Sequence, residues 1–164
     1  MPAIELDDID LRLLRLLQED ASLSNHALAQ KAGLAPATCH RRVHRLRTLG
    51  VIEREVALLS PARMAEALGH GLSVIVEVSL DLQTQEALNA FEARAVADEA
   101  VQQVWRVSPG PDFVLVAQVP DMPGYQALAQ RLFTEDRHVR NVRAFFATKR
   151  AKFGATWPLP IDQT

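Results

Sequence analysis

The chain changes rhythm at Gly71, and that change limits its fold more than anything else in the sequence. Before it, apolar residues recur at helical spacing, as Ile9, Leu13, Leu16 and Leu17 do within Leu6–Asp20. After it, runs such as Leu72–Leu82 (LSVIVEVSLDL) are β-branched and partly alternating, as strands require. A chain of 164 residues divided this way predicts an α+β protein in two small domains. Gly69 and Gly71 mark the hinge. The expected boundaries are 6–60 for the first domain, 61–71 for a linker and 72–161 for the second.

The first half has the grammar of a helix-turn-helix. Asp7, Asp8 and Asp10 crowd the start of the first helix, where the helix dipole favours negative charge. Ser24 is a good cap for a second helix over Asn25–Ala32, with Ala27, Leu28 and Ala32 facing inward. Gly33-Leu34-Ala35 then turns into a third helix, Pro36–Leu49, in which Pro36 suits the first turn and Gly50 supplies the stop. Along it Cys39, Val43 and Leu46 form a narrow apolar stripe, while Thr38, His40, Arg41, Arg42, His44, Arg45 and Arg47 make a basic face without an acid. Two short helices joined by a glycine turn, with a third before them, spell this motif. After Gly50, Val51–Leu59 reads as an extended ribbon, which makes the domain a winged type.

Charge is distributed to match. The net formal charge is only −2, yet Met1–Asp20 has two basic and six acidic residues, whereas Ala21–Arg54 has six basic and one acidic. A local basic block in a neutral chain points to a patch that meets a polyanion, here double-stranded DNA. An inserted helix touches base edges with its N-terminal half, which selects Ala37, Thr38, His40 and Arg41. An arginine there can pair bidentately with guanine. Arg42, Arg45 and Arg47 lie further along and are expected at phosphates; the alternative for Arg42 is an ion pair to an acid such as Asp10. Ser24 and Asn25 begin the second helix and can meet a phosphate through backbone N–H groups.

The second half orders its elements β-α-β-β-α-β. The strands are Leu72–Leu82, Val101–Val107, Asp112–Val119 and Val139–Thr148, and the helices Thr84–Ala97 and Asp121–Glu135. This is the ferredoxin-like sandwich, one antiparallel sheet covered on one face by two helices. The uncovered face is aliphatic enough to want a partner, so a homodimer is expected. Lys149–Ile161 is a tail that could add a strand.

Other classes are disfavoured. Cys39 is the only cysteine, so no internal disulfide forms and nothing points to an oxidising compartment. There is no apolar run approaching the ~20 residues of a membrane span and no signal-peptide pattern, so a soluble cytoplasmic protein is expected. His40 and His44 with Cys39 suggest a metal, but Cys39 belongs to the apolar stripe and no second ligand cluster accompanies it. No nucleophile–base pair or glycine-rich phosphate loop appears, which argues against an enzyme and a cofactor.

Taken together, LDDIDLRLLRLLQED (Leu6–Asp20) and LSNHALAQKAGLAPATCHRRVHRLRTLGVI (Leu23–Ile52) resemble the Lrp/AsnC family of feast/famine regulators. Asp7, Asp10, Gly33-Leu34, Pro36, Cys39, Arg42-Val43, Arg45-Leu46 and Gly50-Val51-Ile52 fall where that pattern wants them. In the second half, Val107-Ser108, Asp112–Leu115 and Val119–Tyr125 match more loosely. The resemblance implies a transcription regulator whose sandwich dimerises, whose dimers assemble into tetramers or octamers, and whose effector is a small amino acid.

By the same resemblance the effector-binding residues are the turn Ser108, Pro109, Gly110, Pro111 and Asp112, with Val142 and Ala144 on the last strand. Asp112 could instead cap its own turn. The departures from the pattern are Ala35 at the helix-cap position, Ser22 where an arginine is common, Pro109 for a glycine, His138 for a glycine, and Val142 and Ala144 for threonines. Two other functions share the fold: an enzyme like the sirohaem decarboxylases, or an effector-binding module that does not bind DNA.

Overall fold

The computed structural model describes residues 4–69 and 71–160. These fall into two compact units. One comprises the chain up to Leu58 together with the stretch from Lys152 onward, and the other is Leu59–Ala151. This division departs from the expected boundaries at both ends. The helix of the linker joins the second unit, and the tail groups with the first. The tail is held there by Gln18, whose side chain accepts from the Trp157 N–H and donates to the Trp157 carbonyl at 3.2 Å, and by Arg15, which donates to the Pro160 carbonyl. The described part of the tail forms no strand.

The first unit is built on α1 (Asp8–Glu19), α2 (Asn25–Ala32) and α3 (Pro36–Thr48). Asp7 caps α1 by accepting the Asp10 N–H at 2.9 Å, and the Asp10 carboxylate accepts the Asp7 N–H in return. This reciprocal box satisfies two of the helix's orphan donors. Ser24 caps α2 through the Ala27 N–H, and Gly33 ends that helix at φ 69°, a conformation other residues adopt at a cost. Pro36 starts α3, but Ala35 offers no side-chain cap. The three helices close over Leu13, Leu28, Ala29, Ala32, Cys39 and Val43, with Ile9, Leu16, Leu17, Leu23, Leu34 and Ile52 packed around them. Each fully buried aliphatic side chain contributes about 1.5–3 kcal/mol. Leu13 is at 0% exposure, and its truncation to alanine would cost about 2–5 kcal/mol. After α3, Val51–Leu59 has no strand partner, so the expected ribbon is a single unpaired segment rather than a paired wing.

The second unit opens with α4 (Pro61–Leu68), capped by Ser60 and burying none of its residues. Strands β1 (Leu72–Leu80), β2 (Val101–Arg106), β3 (Phe113–Val119) and β4 (Val139–Phe146) form one antiparallel sheet in the order β2-β3-β1-β4. Between them run α5 (Gln85–Ala97) and α6 (Met122–Ala129), the latter continuing into a π turn over Gln130–Thr134. The expected β-α-β-β-α-β order is the one observed, and the fold is α+β. The single helix expected over Asp121–Glu135 is instead α6 followed by the π turn, in which the consecutive residues Leu132 and Phe133 are both buried.

Alternation along β1 buries Val74, Val76, Val78 and Leu80 against Phe91 and Ala95 of α5 and Leu128, Leu132 and Phe133 beyond them. Phe91 and Phe113 stack with centroids 4.8 Å apart. Ion pairs Arg94–Asp136 and Arg131–Asp98 tie α5 to the α6 side of the layer. On the opposite face Ile75 lies between Val116 of β3 and Phe145 of β4, and Trp105 stands beside Val114. Ile75, Phe145 and Trp105 are 42%, 43% and 58% exposed, an apolar strip that the second unit leaves open among the described residues.

Candidate nucleic-acid interface

Helix α3 divides cleanly between an anchored side and an open one. Cys39, Val43 and Leu46 are buried, and burial pushes the Cys39 thiol up from its ordinary value, as for a small apolar core residue. Ala37, His40, Arg41 and His44 are exposed and Thr38 is half-buried. Arg41 makes no ion pair or hydrogen bond among the described residues, so its guanidinium is uncommitted. His44 accepts at its carbonyl from the Thr48 hydroxyl at 2.9 Å, and its ring Nδ1 lies 3.3 Å from the same oxygen. The His40 and His44 rings sit edge to face, 6.5 Å apart.

The other three arginines of the helix have partners of their own. Arg42 Nη1 donates to both Asp7 oxygens at 2.9 and 2.8 Å and to Asp10 Oδ1 at 2.9 Å. Arg45 reaches Asp10 Oδ2 at 3.0 Å and the Glu5 carbonyl at 2.9 Å. Arg47 pairs with Glu55 at 2.6 Å. The phosphate role expected of these arginines therefore meets a competing assignment, and for Arg42 it is the one foreseen as the alternative. Asp10 is 2% exposed and is the single buried charged residue among those described. With two guanidinium partners it is fully compensated, and removing one partner from such a site costs about 3–5 kcal/mol. Hydrogen bonds from the Asp10 N–H and then from Arg42 hold the Asp7 carboxyl below the usual carboxylate range, and Arg42 is correspondingly held in its charged form. The sequence carried this signal: two acids three residues apart on one helix, and two arginines three apart on another.

Asn25 is likewise engaged, its side-chain amide donating to the Pro36 carbonyl at 2.9 Å and tying the α2–α3 turn together. Ser24 spends its hydroxyl on the cap, leaving the first backbone N–H groups of α2 open. A groove of about 230 Å³ runs beside α3, floored by Leu17, Leu23, Leu28 and Val43 and rimmed by Asn25, His40, His44 and Arg47.

In the second unit, Ser108–Pro111 forms the turn from β2 to β3, with a cis Ser108–Pro109 bond. Asp112 is committed to the sheet end: its oxygens accept from the Leu80 N–H at 2.7 Å and from Gln83 Nε2 at 2.9 Å, and its N–H donates to the Val78 carbonyl. Val142 and Ala144 pair with Val78 and Val76 and pack on the core. Phe113 and Val142 flank Val78 from opposite sides, two strand spacings or roughly 10 Å apart. A groove of about 320 Å³ beside β4 is lined by Tyr125, Phe133, Thr134, Arg140, Asn141 and Val142 among others. It takes in Val142 but neither Ala144 nor any of residues 108–112. Burial pushes the Tyr125 hydroxyl up, and the ring packs edge-on against Phe146 at 5.0 Å. His138 faces Asp81 at 3.4 Å. Among the described residues no cluster of three metal-ligating side chains forms, and no helix is long and apolar enough to cross a membrane.

A helix-turn-helix with an exposed basic helix, in one chain with a ferredoxin-like sandwich, defines a two-part regulator class. Comparison with known proteins makes it specific. Residues 6–47 match the AsnC-type helix-turn-helix domain and residues 73–157 the Lrp/AsnC ligand binding domain. The leucine-responsive regulatory protein of Rhizobium meliloti is 34% identical over 91% of this chain and 93% of its own length. An AsnC family transcriptional regulator from Agrobacterium tumefaciens has a similar structure, with a TM-score of 0.82 at 31% identity over 93% of this chain and 97% of that one. A transcriptional regulator of Neisseria meningitidis solved in complex with L-Met also aligns, with a TM-score of 0.82 at 27% identity over 94% and 97%. The chain belongs to the Lrp/AsnC family of DNA-binding transcriptional regulators.

Proposed function

We propose that this regulator acts as a homodimer, assembling further into tetramers or octamers, that presents two α3 helices to the half-sites of a pseudo-palindromic operator. Ala37, Thr38, His40 and Arg41 read base edges, and the open N–H groups at Ser24 and Asn25 meet the backbone. The observation that carries this reading is the two-sidedness of α3: its apolar stripe is buried, while Arg41 and His40 stand exposed without ionic partners. The exposed strip around Ile75, Trp105 and Phe145 supports pairing between sandwiches.

The ligand is proposed to be a small molecule of the amino-acid class, on the strength of the family's ligand-binding domain and the L-Met complex of the Neisseria relative. It would act at the sheet end formed by Ser108–Asp112 and β4, with Asp112 shaping the turn and copies in the oligomer completing the cleft. Binding would shift the assembly and so the spacing of paired reading helices. The protein is proposed to work in the cytoplasm and without a catalytic role of its own. Selection of bound genomic fragments, repeated with each of the twenty amino acids, tests both parts. Enrichment of a palindromic site, altered by at least one amino acid, is expected. Failure to enrich any site defeats the DNA reading, and indifference to all twenty defeats the effector reading.

A further inference from the structure

The Asp7–Asp10 box does more than cap α1. We propose that it is a clamp that sets the pose of the reading helix, with Arg42 and Arg45 as positioning residues rather than phosphate contacts. The proposal rests on the reading of α3 as the DNA-facing element and adds how that element is aimed.

The geometry supports it in three ways. First, each acid is shared between duties. Asp7 caps the Asp10 N–H and also takes Arg42, while Asp10 returns the cap and takes both Arg42 and Arg45. The start of α1 is therefore locked to the middle of α3 through four short contacts of 2.8–3.0 Å. Second, Asp10 is 2% exposed, so it cannot lose its guanidinium partners without leaving a buried charge unpaired. The Arg42 Nε is buried as well, so the guanidinium is enclosed on this side of the helix. Third, Arg42 and Arg45 sit one turn beyond Thr38–Arg41. A tilt or rotation of α3 about this point would move the reading residues against the base edges, where an error of about 1 Å abolishes a bidentate contact. Arg41, next in sequence to Arg42, carries none of these ties and is left free for the duplex.

The test uses the full chain, a selected operator and a scrambled duplex of equal length, with Kd measured across a salt series. Asp10→Asn and Arg42→Gln are expected to lower the ratio of specific to non-specific affinity by about tenfold, the size of one lost base contact. The slope of log K against log salt should stay at the wild-type value. Asp7→Asn, at an exposed position that keeps the core intact, should move the ratio the same way by less. The double variant Asp7→Asn/Arg42→Gln should match Arg42→Gln alone, because both remove one clamp.

Other results overturn the clamp. If Arg42 holds a phosphate, Arg42→Gln flattens the slope by about 0.9, and Asp10→Asn tightens binding to both duplexes by freeing a cation. If the acids serve only the fold, all variants lose affinity for the two duplexes in equal proportion. Arg41→Ala separates the underlying reading: should it leave base preference untouched, α3 is not the reading face, whatever the clamp variants show.

Discussion

Asp7 joins two kinds of order at one carboxyl, a helix cap and an ion pair, and its ionisation reports on both. The folded chain favours the charged form, so the carboxyl's ordinary value is lowered by the Asp10 N–H first and Arg42 second. Its contribution is therefore complete above the ordinary carboxylate value and fades as the pH falls through the lowered one. The melting temperature of the first unit should drop across that acidic window, and Asp7→Asn should flatten the dependence there while melting lower at neutral pH. Arg41 makes a contrasting case, since no intramolecular bond is lost with it. Arg41→Ala should leave melting unchanged and relax base preference at one operator position by about 1–3 kcal/mol, read by comparing single-base operator variants. These two residues also show what sequence reasoning saw and missed. That α3 is basic and one-sided was plain from spacing. The pairing of Arg42 with Asp10 was open as an alternative, but the second tie from Arg45 was not, because Asp10 and Arg45 are distant in sequence and only the packing of α1 on α3 pairs them.

At the scale of elements, the start of α3 is its weak point. Ala35 has the extended backbone of a cap residue, at φ −67° and ψ 140°, but no side-chain acceptor. Ala35→Ser should supply one and stabilise the helix by about 1 kcal/mol, raising the melting temperature of a unit this small by about 4–8 °C. A calorimetric scan that found no gain would mean that Pro36 already satisfies the first turn. The start of α2 was legible because Ser24 announces it in the sequence and then forms the cap observed, while Asp7 and Thr84 prove to be caps as well. The sandwich order was legible for a similar reason, since period-two burial along β1 leaves little choice of face. The unpaired course of Val51–Leu59 and the π turn were not. Both depend on what lies beside the segment, a missing partner strand in one case and two core-seeking neighbours in the other.

At the scale of the whole molecule, one face of the sheet stands out as exposed and apolar among the described residues. Ile75 stands on β1, between β3 and β4, with Trp105 and Phe145 on the edge strands β2 and β4, and this row of apolar side chains suits packing sheet against sheet. Ile75→Lys should weaken the proposed dimer toward monomer, visible by sedimentation at micromolar concentration. It should also weaken operator binding, because two half-sites are then held by separate molecules. The return of the tail to α1 has a consequence of its own. The stretch around Trp157 completes the unit that begins at the other end of the chain, so the sandwich is topologically an insert within the DNA-binding part. The two halves cannot then be parted by a single cut. A chain stopped after Ala151 would keep every strand of the sandwich and lose a brace from the reading unit, so a C-terminal truncation should first be felt at the operator.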